Sequence, residues 1–235
     1  MRIKERIAGL DWNTIQQSLE EQGFAKVPVI LDKEQCHEIM NTYEEDRLFR
    51  STINMARYRF GVGEYKYYQD PIPELLQHLR EGFYPELAKT ANYWNERLGL
   101  EGSYPAELPE FLKQCYQQGQ KRSTPLILKY EEGGYNCLHQ DLYGDVFFPF
   151  QVVFALNQKE VDYTGGEFLL VEQRPRAQSR GNVITIEQGA GFIFPTNHRP
   201  FKGARGYYRT TLRHGVSTIT SGTRYTLGII FHDAK

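Results

Sequence analysis

Two hydrophobic periods divide the chain. Up to about residue 123 the apolar positions recur mostly at intervals of three and four, the period of an amphipathic helix. From Thr124 onward they fall into short β-rich runs broken by Gly, Asn, Asp or Pro.

Residues 1–22 predict one amphipathic helix or two short ones, with Ile15 and Leu19 on a shared face. GFAKVPVIL (23–31) reads as a strand. Asp32 with Gln35 three later predicts a capping box that opens a helix through about Glu45. Residues 52–69 mix polar and aromatic positions around two glycines and predict an extended hairpin. After Pro71 and Pro73 a long helix is expected, on which Leu75, Leu76, Leu79, Phe83, Leu87, Ala91 and Trp94 recur at three and four. Tyr104 to Gln120 predicts another, with Leu108, Phe111, Leu112 and Cys115 on one face. Beyond it, TPLILKYE, FPFQVVFALN, GGEFLLVE, NVITIE, GFIFP, YYRTTLRHGVS and RYTLGIIFHD have no helix between them, which predicts an antiparallel jelly-roll sandwich or barrel. With no Pro/Gly/Ser linker in between, 1–235 is expected to be a single α+β, mainly β domain. In it, 1–123 supplies mainly helical support and substrate-side segments, and 124–235 the barrel core.

Composition narrows the class. The 235 residues carry a formal net charge of -1, so no global field draws the chain to nucleic acid or membrane. Cys36, Cys115 and Cys137 are scattered and odd in number, which fits free thiols in a reducing cytoplasm. The N-terminal stretch MRIKERIAGLDW has no long apolar run, so neither a signal peptide nor a membrane span is expected there.

Candidate chemistry concentrates in LHQDLYGD and RHGVS. Residues two apart on a strand point the same way, so His139 and Asp141 can reach one ion together. His214 can supply a third ligand, with His198 in FPTNHRPF as the alternative. Two imidazoles and one carboxylate form the set that holds non-heme Fe(II) and leaves positions open. His37 and His78 on helices, and His232 near the end of the last strand, are expected at the surface.

The joint pattern resembles the 2-oxoglutarate-dependent Fe(II) oxygenases. HGVSTITSGTR looks like that superfamily's distal His followed by a basic residue ten positions on, here Arg224. Tyr130 with LHQD is similar to the AlkB-type demethylases, and GGEFLLVE to the prolyl-hydroxylase branch. Together with FPTNHRP, RFGVGEYKYY and YTLGIIFHDA, these segments resemble a bacterial oxygenase family labelled as acting on damaged DNA by oxidative demethylation. The resemblance implies a double-stranded β-helix (cupin-like) and the cofactors Fe(II), 2-oxoglutarate and O2. It also implies iron on His139, Asp141 and His214, and Arg224 and Tyr130 on the cosubstrate. In AlkB-type enzymes an Asn and a second Arg follow the cosubstrate Arg at two and six positions; here Thr226 and Ile230 stand there.

The primary substrate is therefore open between alkylated nucleic acid and a protein side chain or small molecule. Arg174, Arg176, Arg180, Arg199, Lys202, Arg205, Arg209 and Arg213 form a basic run that can meet phosphates if it shares one face, with Arg57, Arg59, Lys66 and the tyrosines of 57–68 adding charge and stacking. A cupin-like metal-binding protein without 2-oxoglutarate turnover is the alternative of another class.

Overall fold

The computed structural model describes residues 2–142 and 144–235. Two helices open it, α1 (Ile3–Ala8) and α2 (Trp12–Gln22), the second capped by Asp11. Strand β1 (Ala25–Val27) is shorter than GFAKVPVIL suggests, because Pro28 has no N–H to extend the ladder. Helix α3 (Lys33–Asn41) starts on the expected capping box, with reciprocal bonds between Asp32 and Gln35. It ends before Glu45, tightening into a 3-10 turn at Thr42–Glu44.

The expected hairpin is present as β2 (Phe49–Asn54) and β4 (Glu64–Tyr68), paired antiparallel, with the short β3 (Gly61–Val62) between them in sequence. Helix α4 (Glu74–Leu98) carries the predicted apolar face inward. Helix α5 (Leu108–Gln117) is narrower than Tyr104–Gln120, and Pro109 sits in its first turn, where a missing N–H is harmless.

The remaining strands are β5 (Leu126–Tyr130), β6 (Tyr135–His139), β7 (Phe150–Ala155), β8 (Tyr163–Gly165), β9 (Phe168–Gln173), β10 (Arg180–Ile184), β11 (Gly191–Pro195), β12 (His198–Gly203), β13 (Gly206–Val216), β14 (Ile219–Gly222) and β15 (Arg224–Ile230). One sheet runs β1-β11-β7-β15-β5-β4-β2; the other runs β10-β9-β13-β6-β3 with β12 beside β13. Their inner faces share a core in which Tyr130, Val153, Phe192 and Phe194 of the first sheet meet Phe168, Leu170, Leu212 and Val216 of the second. Two antiparallel four-stranded walls, β5-β15-β7-β11 and β6-β13-β9-β10, make the double-stranded β-helix.

Every residue of β7 is buried because the larger sheet is covered on both sides. Gln151 and Val153 line the space between the sheets, while Val152 and Phe154 pack under the helices. There Phe83 meets Phe154 edge-on at 5.8 Å and Trp94 meets Phe150 at 4.6 Å. Such ring pairs add about 0.5–1.5 kcal/mol each beyond the area they bury. The helices also hold the end of β15. Arg80, 2% exposed, donates to the carbonyls of Ile230 and Phe231 and pairs with Asp233 at 2.6 Å. A buried guanidinium is tolerated only with partners of this kind.

His232 corrects one expectation: it is buried, and its Nδ1 accepts from the Phe148 N–H. Burial, with the Arg80 charge beside it, pushes its pKa down to about 4. The folded ring thus stays neutral while the unfolded one protonates below the ordinary value near 6.5. Stability carried by this group is present above about pH 6.5 and is lost as pH falls toward 4. Denaturation midpoints measured across that window are expected to fall with acid in the native protein, and less steeply in His232→Gln.

Candidate metal and cosubstrate site

A cavity of about 270 Å³ opens between the two sheets, and its lining includes Tyr130, His139, Asp141, His214 and Arg224. Strands β6 and β13 place the imidazoles side by side: His139 and His214 are direct cross-strand partners, with ring centroids 4.3 Å apart. A bulge follows His214 on β13. Gly215 sits in it, and a Cβ there would lie 2.6 Å from the Asn136 carbonyl oxygen. Only glycine admits that approach of the two strands.

Asp141 lies two residues beyond the end of β6 rather than inside it. The same-side placement expected of His-x-Asp still holds, with Gln140 between them tied to the backbone. Its Nε2 donates to the carbonyls of Asn197 and Leu212, at 2.8 and 2.9 Å. Asp141 Oδ1 is 3.5 Å from His139 Nε2, and Oδ2 is 3.2 Å from His214 Nε2. One donor atom from each residue lies within 4.8 Å of the other two, a spacing that fits a single metal ion.

The tautomers suit such an ion. His139 Nδ1 is 2.7 Å from the Cys137 carbonyl, which can only accept, so Nδ1 carries the proton and the Nε2 lone pair faces the site. The His214 ring stacks on Phe168, with centroids 5.6 Å apart and planes 9° apart, and meets Phe194 edge-on at 4.8 Å. Burial holds the His214 pKa below its ordinary value although Asp141 opposes it. Burial would also lower His139, but the Asp141 carboxylate outweighs it and the net direction is up. For Asp141 burial works upward; the two imidazoles overcome it and hold the carboxyl well below the usual range. The carboxylate is charged at neutral pH, as a metal ligand must be.

Arg224 opens β15 directly opposite Tyr130 on β5. Its guanidinium carbon is 5.6 Å from the Tyr130 ring centre, and its side chain is buried. Gly166, at φ +65°, makes room for it: a Cβ there would sit 2.9 Å from Arg224 Cδ. No carboxylate among the described residues pairs with this guanidinium, and Nε has no hydrogen-bond partner. A buried charge of this kind calls for an anion from outside the chain. Tyr130 is fully buried, its hydroxyl accepts from Asn136 Nδ2, and burial raises its pKa to about 12 against the pull of Arg224.

The other histidines fall away from the site. His37 is exposed and His78 partly so, as expected. His198, the alternative third ligand, stands on β12 outside the metal-sized group, and burial with the Arg209 charge lowers its pKa to about 4. The basic run divides. Arg199 is 2% exposed, bonding Glu172 at 2.9 Å and the Glu20 carbonyl at 2.6 Å. Arg174 lies over the Phe201 ring at 3.8 Å. Lys66 is buried against Asp46 and the Tyr43 carbonyl. Arg176, Arg180, Lys202, Arg205, Arg209 and Arg213 remain exposed.

Tyr65 and Tyr67 of the RFGVGEYKYY segment line the cavity, and so do two residues that motif reading passes over, Asn136 and Gln151. Gln151 leaves one trace in the sequence, as the lone polar side chain in the apolar strand FQVVFA.

Residues 63–234 match the family model described as "Oxygenase, catalysing oxidative methylation of damaged DNA". The uncharacterized protein Rv2227 of Mycobacterium tuberculosis is 51% identical over 164 residues, 70% of each chain. Among solved structures, a Pseudomonas putida prolyl-4-hydroxylase superposes with a TM-score of 0.56 at 12% identity, covering 95% of this chain and 100% of its own. A Trichoplax adhaerens prolyl hydroxylase, solved with a hypoxia inducible factor peptide, gives 0.56 at 15% identity and covers 98% of this chain and 92% of its own. A 2OG-Fe(II) family oxidoreductase from Burkholderia pseudomallei gives 0.52 at 15%, covering 94% and 91%. These structural likenesses speak for the fold, and the family match spans most of the chain. With a double-stranded β-helix built around a His-Asp-His group that suits a metal ion, this chain belongs to the Oxygenase-NA family.

Proposed function

We propose that His139, Asp141 and His214 hold the Fe(II), and that Arg224 receives the distal carboxylate of 2-oxoglutarate with the Tyr130 hydroxyl as a second donor. The observation that carries this reading is the Arg224 guanidinium, buried in the same cavity as the three proposed ligands with no carboxylate partner among the described residues. A guanidinium grips a carboxylate through two parallel hydrogen bonds, a match that few other ligands offer. Bound iron would couple O2 and 2-oxoglutarate to the hydroxylation of a C–H bond, with succinate and CO2 released.

The chain's own residues prepare that step. Asp141 supplies the negative charge, and the imidazoles meet the ion as neutral donors. Tyr130 keeps its proton at neutral pH and can donate it in a hydrogen bond. Phe168, Phe194 and Val153 line the space with apolar surface, which keeps bulk water off the reacting groups.

For the primary substrate we infer alkylated nucleic acid, the class the family description suggests. Placing oxygen on an N-methyl carbon gives a product that loses formaldehyde, so the oxidation runs toward methyl removal. Tyr58 and Phe60 support the inference: their rings stack at 5.7 Å, both are exposed, and Phe60 lines the cavity. Exposed Arg57 and Arg59 flank them. An aromatic platform with cationic neighbours is the usual means of holding unpaired bases. A protein side chain is the second reading, favoured by Ile230, which gives the cavity an apolar wall.

A cytoplasmic location belongs to the same proposal and is supported by three free cysteines. No helix among the described residues is long and apolar enough to cross a membrane.

The test is succinate release from 2-oxoglutarate with Fe(II) and O2, screened over methylated single-stranded DNA, methylated duplex and peptide pools. Formaldehyde from a methylated strand selects demethylation. A gain of one oxygen on a peptide selects the second reading, and no succinate under any condition rejects both.

A further inference from the structure

Asp141 bears the contacts that join the three ligands, yet it stands outside any strand, and its backbone N–H reaches the Thr196 carbonyl only at 3.4 Å. Side-chain contacts to its carboxylate therefore bear on its orientation. Gln151 reaches it from the opposite wall: Nε2 donates to Asp141 Oδ2, the same oxygen that faces His214 Nε2. Chemistry settles which end of the amide points at Asp141. A carboxylate only accepts, so the NH2 group must face it.

Gln151 is 5% exposed and sits between Ile230 of β15 and Phe194 of β11 in the strand register. A buried amide costs free energy unless it is hydrogen-bonded. The remaining members of β7, Phe150 and Val152 to Ala155, are apolar, so nothing about packing calls for a glutamine there.

We propose that Gln151 is a positioning residue. It fixes the rotation of the Asp141 carboxylate so that this ligand, carried by the end of one sheet, is held by the other. The inference rests on the metal reading above. Partners of this kind around metal ligands are typically worth 10- to 100-fold in metal affinity.

The experiment titrates metal-free protein with Co(II), following the visible absorption of the bound ion, in wild type, Gln151→Met and Gln151→Asn. Met keeps the volume without the donor. Asn keeps the amide but stops one methylene short of Asp141. Circular dichroism and cooperative unfolding of the metal-free variants verify the fold. Should Gln151→Met not fold, the milder Gln151→Asn reports the same lost bond. In a folded variant, Co(II) affinity is expected to fall about 10- to 100-fold, with an altered absorption spectrum. Wild-type affinity and spectrum in a folded variant would overturn the proposal. Wild-type protein that takes up no Co(II) would overturn the metal reading itself, and this inference with it.

Discussion

Asp141→Ala is expected to abolish 2-oxoglutarate turnover while leaving the fold intact. Loss of an outer partner of a metal ligand costs up to about 100-fold in metal affinity, so loss of a ligand must exceed that. Asp141 would also be the one anionic ligand of the proposed set, and it is the carboxylate that raises the His139 pKa. Its removal leaves two imidazoles with no negative charge between them. Little of the core goes with it, because Asp141 sits at the cavity lining beyond the end of β6. The measurement is succinate formed at saturating Fe(II), alongside the unfolding midpoint. Succinate at the wild-type rate would reject the ligand assignment.

The second large effect is expected at Arg224. Arg224→Met should weaken 2-oxoglutarate binding by roughly 10- to 150-fold, since a hydrogen bond to a charged group contributes about 1.5–3 kcal/mol. The free protein should not suffer: its guanidinium is buried with no ion pair among the described residues, a costly state that an apolar side chain relieves. Thermal unfolding separates the two effects. Wild type should gain about 2.7 kcal/mol of stability at a 2-oxoglutarate concentration of 100 times Kd. At the same concentration Arg224→Met should gain far less, from an unliganded stability equal to or above wild type. An equal ligand-induced gain in both proteins would remove Arg224 from the cosubstrate site.

How far the sequence reveals this arrangement depends on whether the cause is local. The Asp32–Gln35 capping box is visible because cap and partner are three residues apart. His139 and Asp141 are visible because their spacing sends both side chains one way even past the strand end. Arg224 is visible through its distance from His214, but its burial without a carboxylate partner among the described residues depends on Tyr130 and Gly166 folding over it. The fate of the basic run is not legible in order of residues. Arg199 is drawn inside by Glu172, 27 positions away, and by a carbonyl of α2, 179 positions away. His232 looks like a strand-end residue until α4 and the Phe148 segment close over it. Gln151 shows as an odd polar letter in FQVVFA, and only the meeting of two sheets supplies its partner.

Crystals grown with Fe(II) and 2-oxoglutarate under anaerobic conditions test the central claim most directly, by anomalous diffraction at the iron edge. The expected result is one peak bonded to His139 Nε2, His214 Nε2 and an Asp141 oxygen, with the distal carboxylate of the keto acid against the Arg224 guanidinium. No peak among those three donors, or a keto acid carboxylate bound away from Arg224, would contradict it.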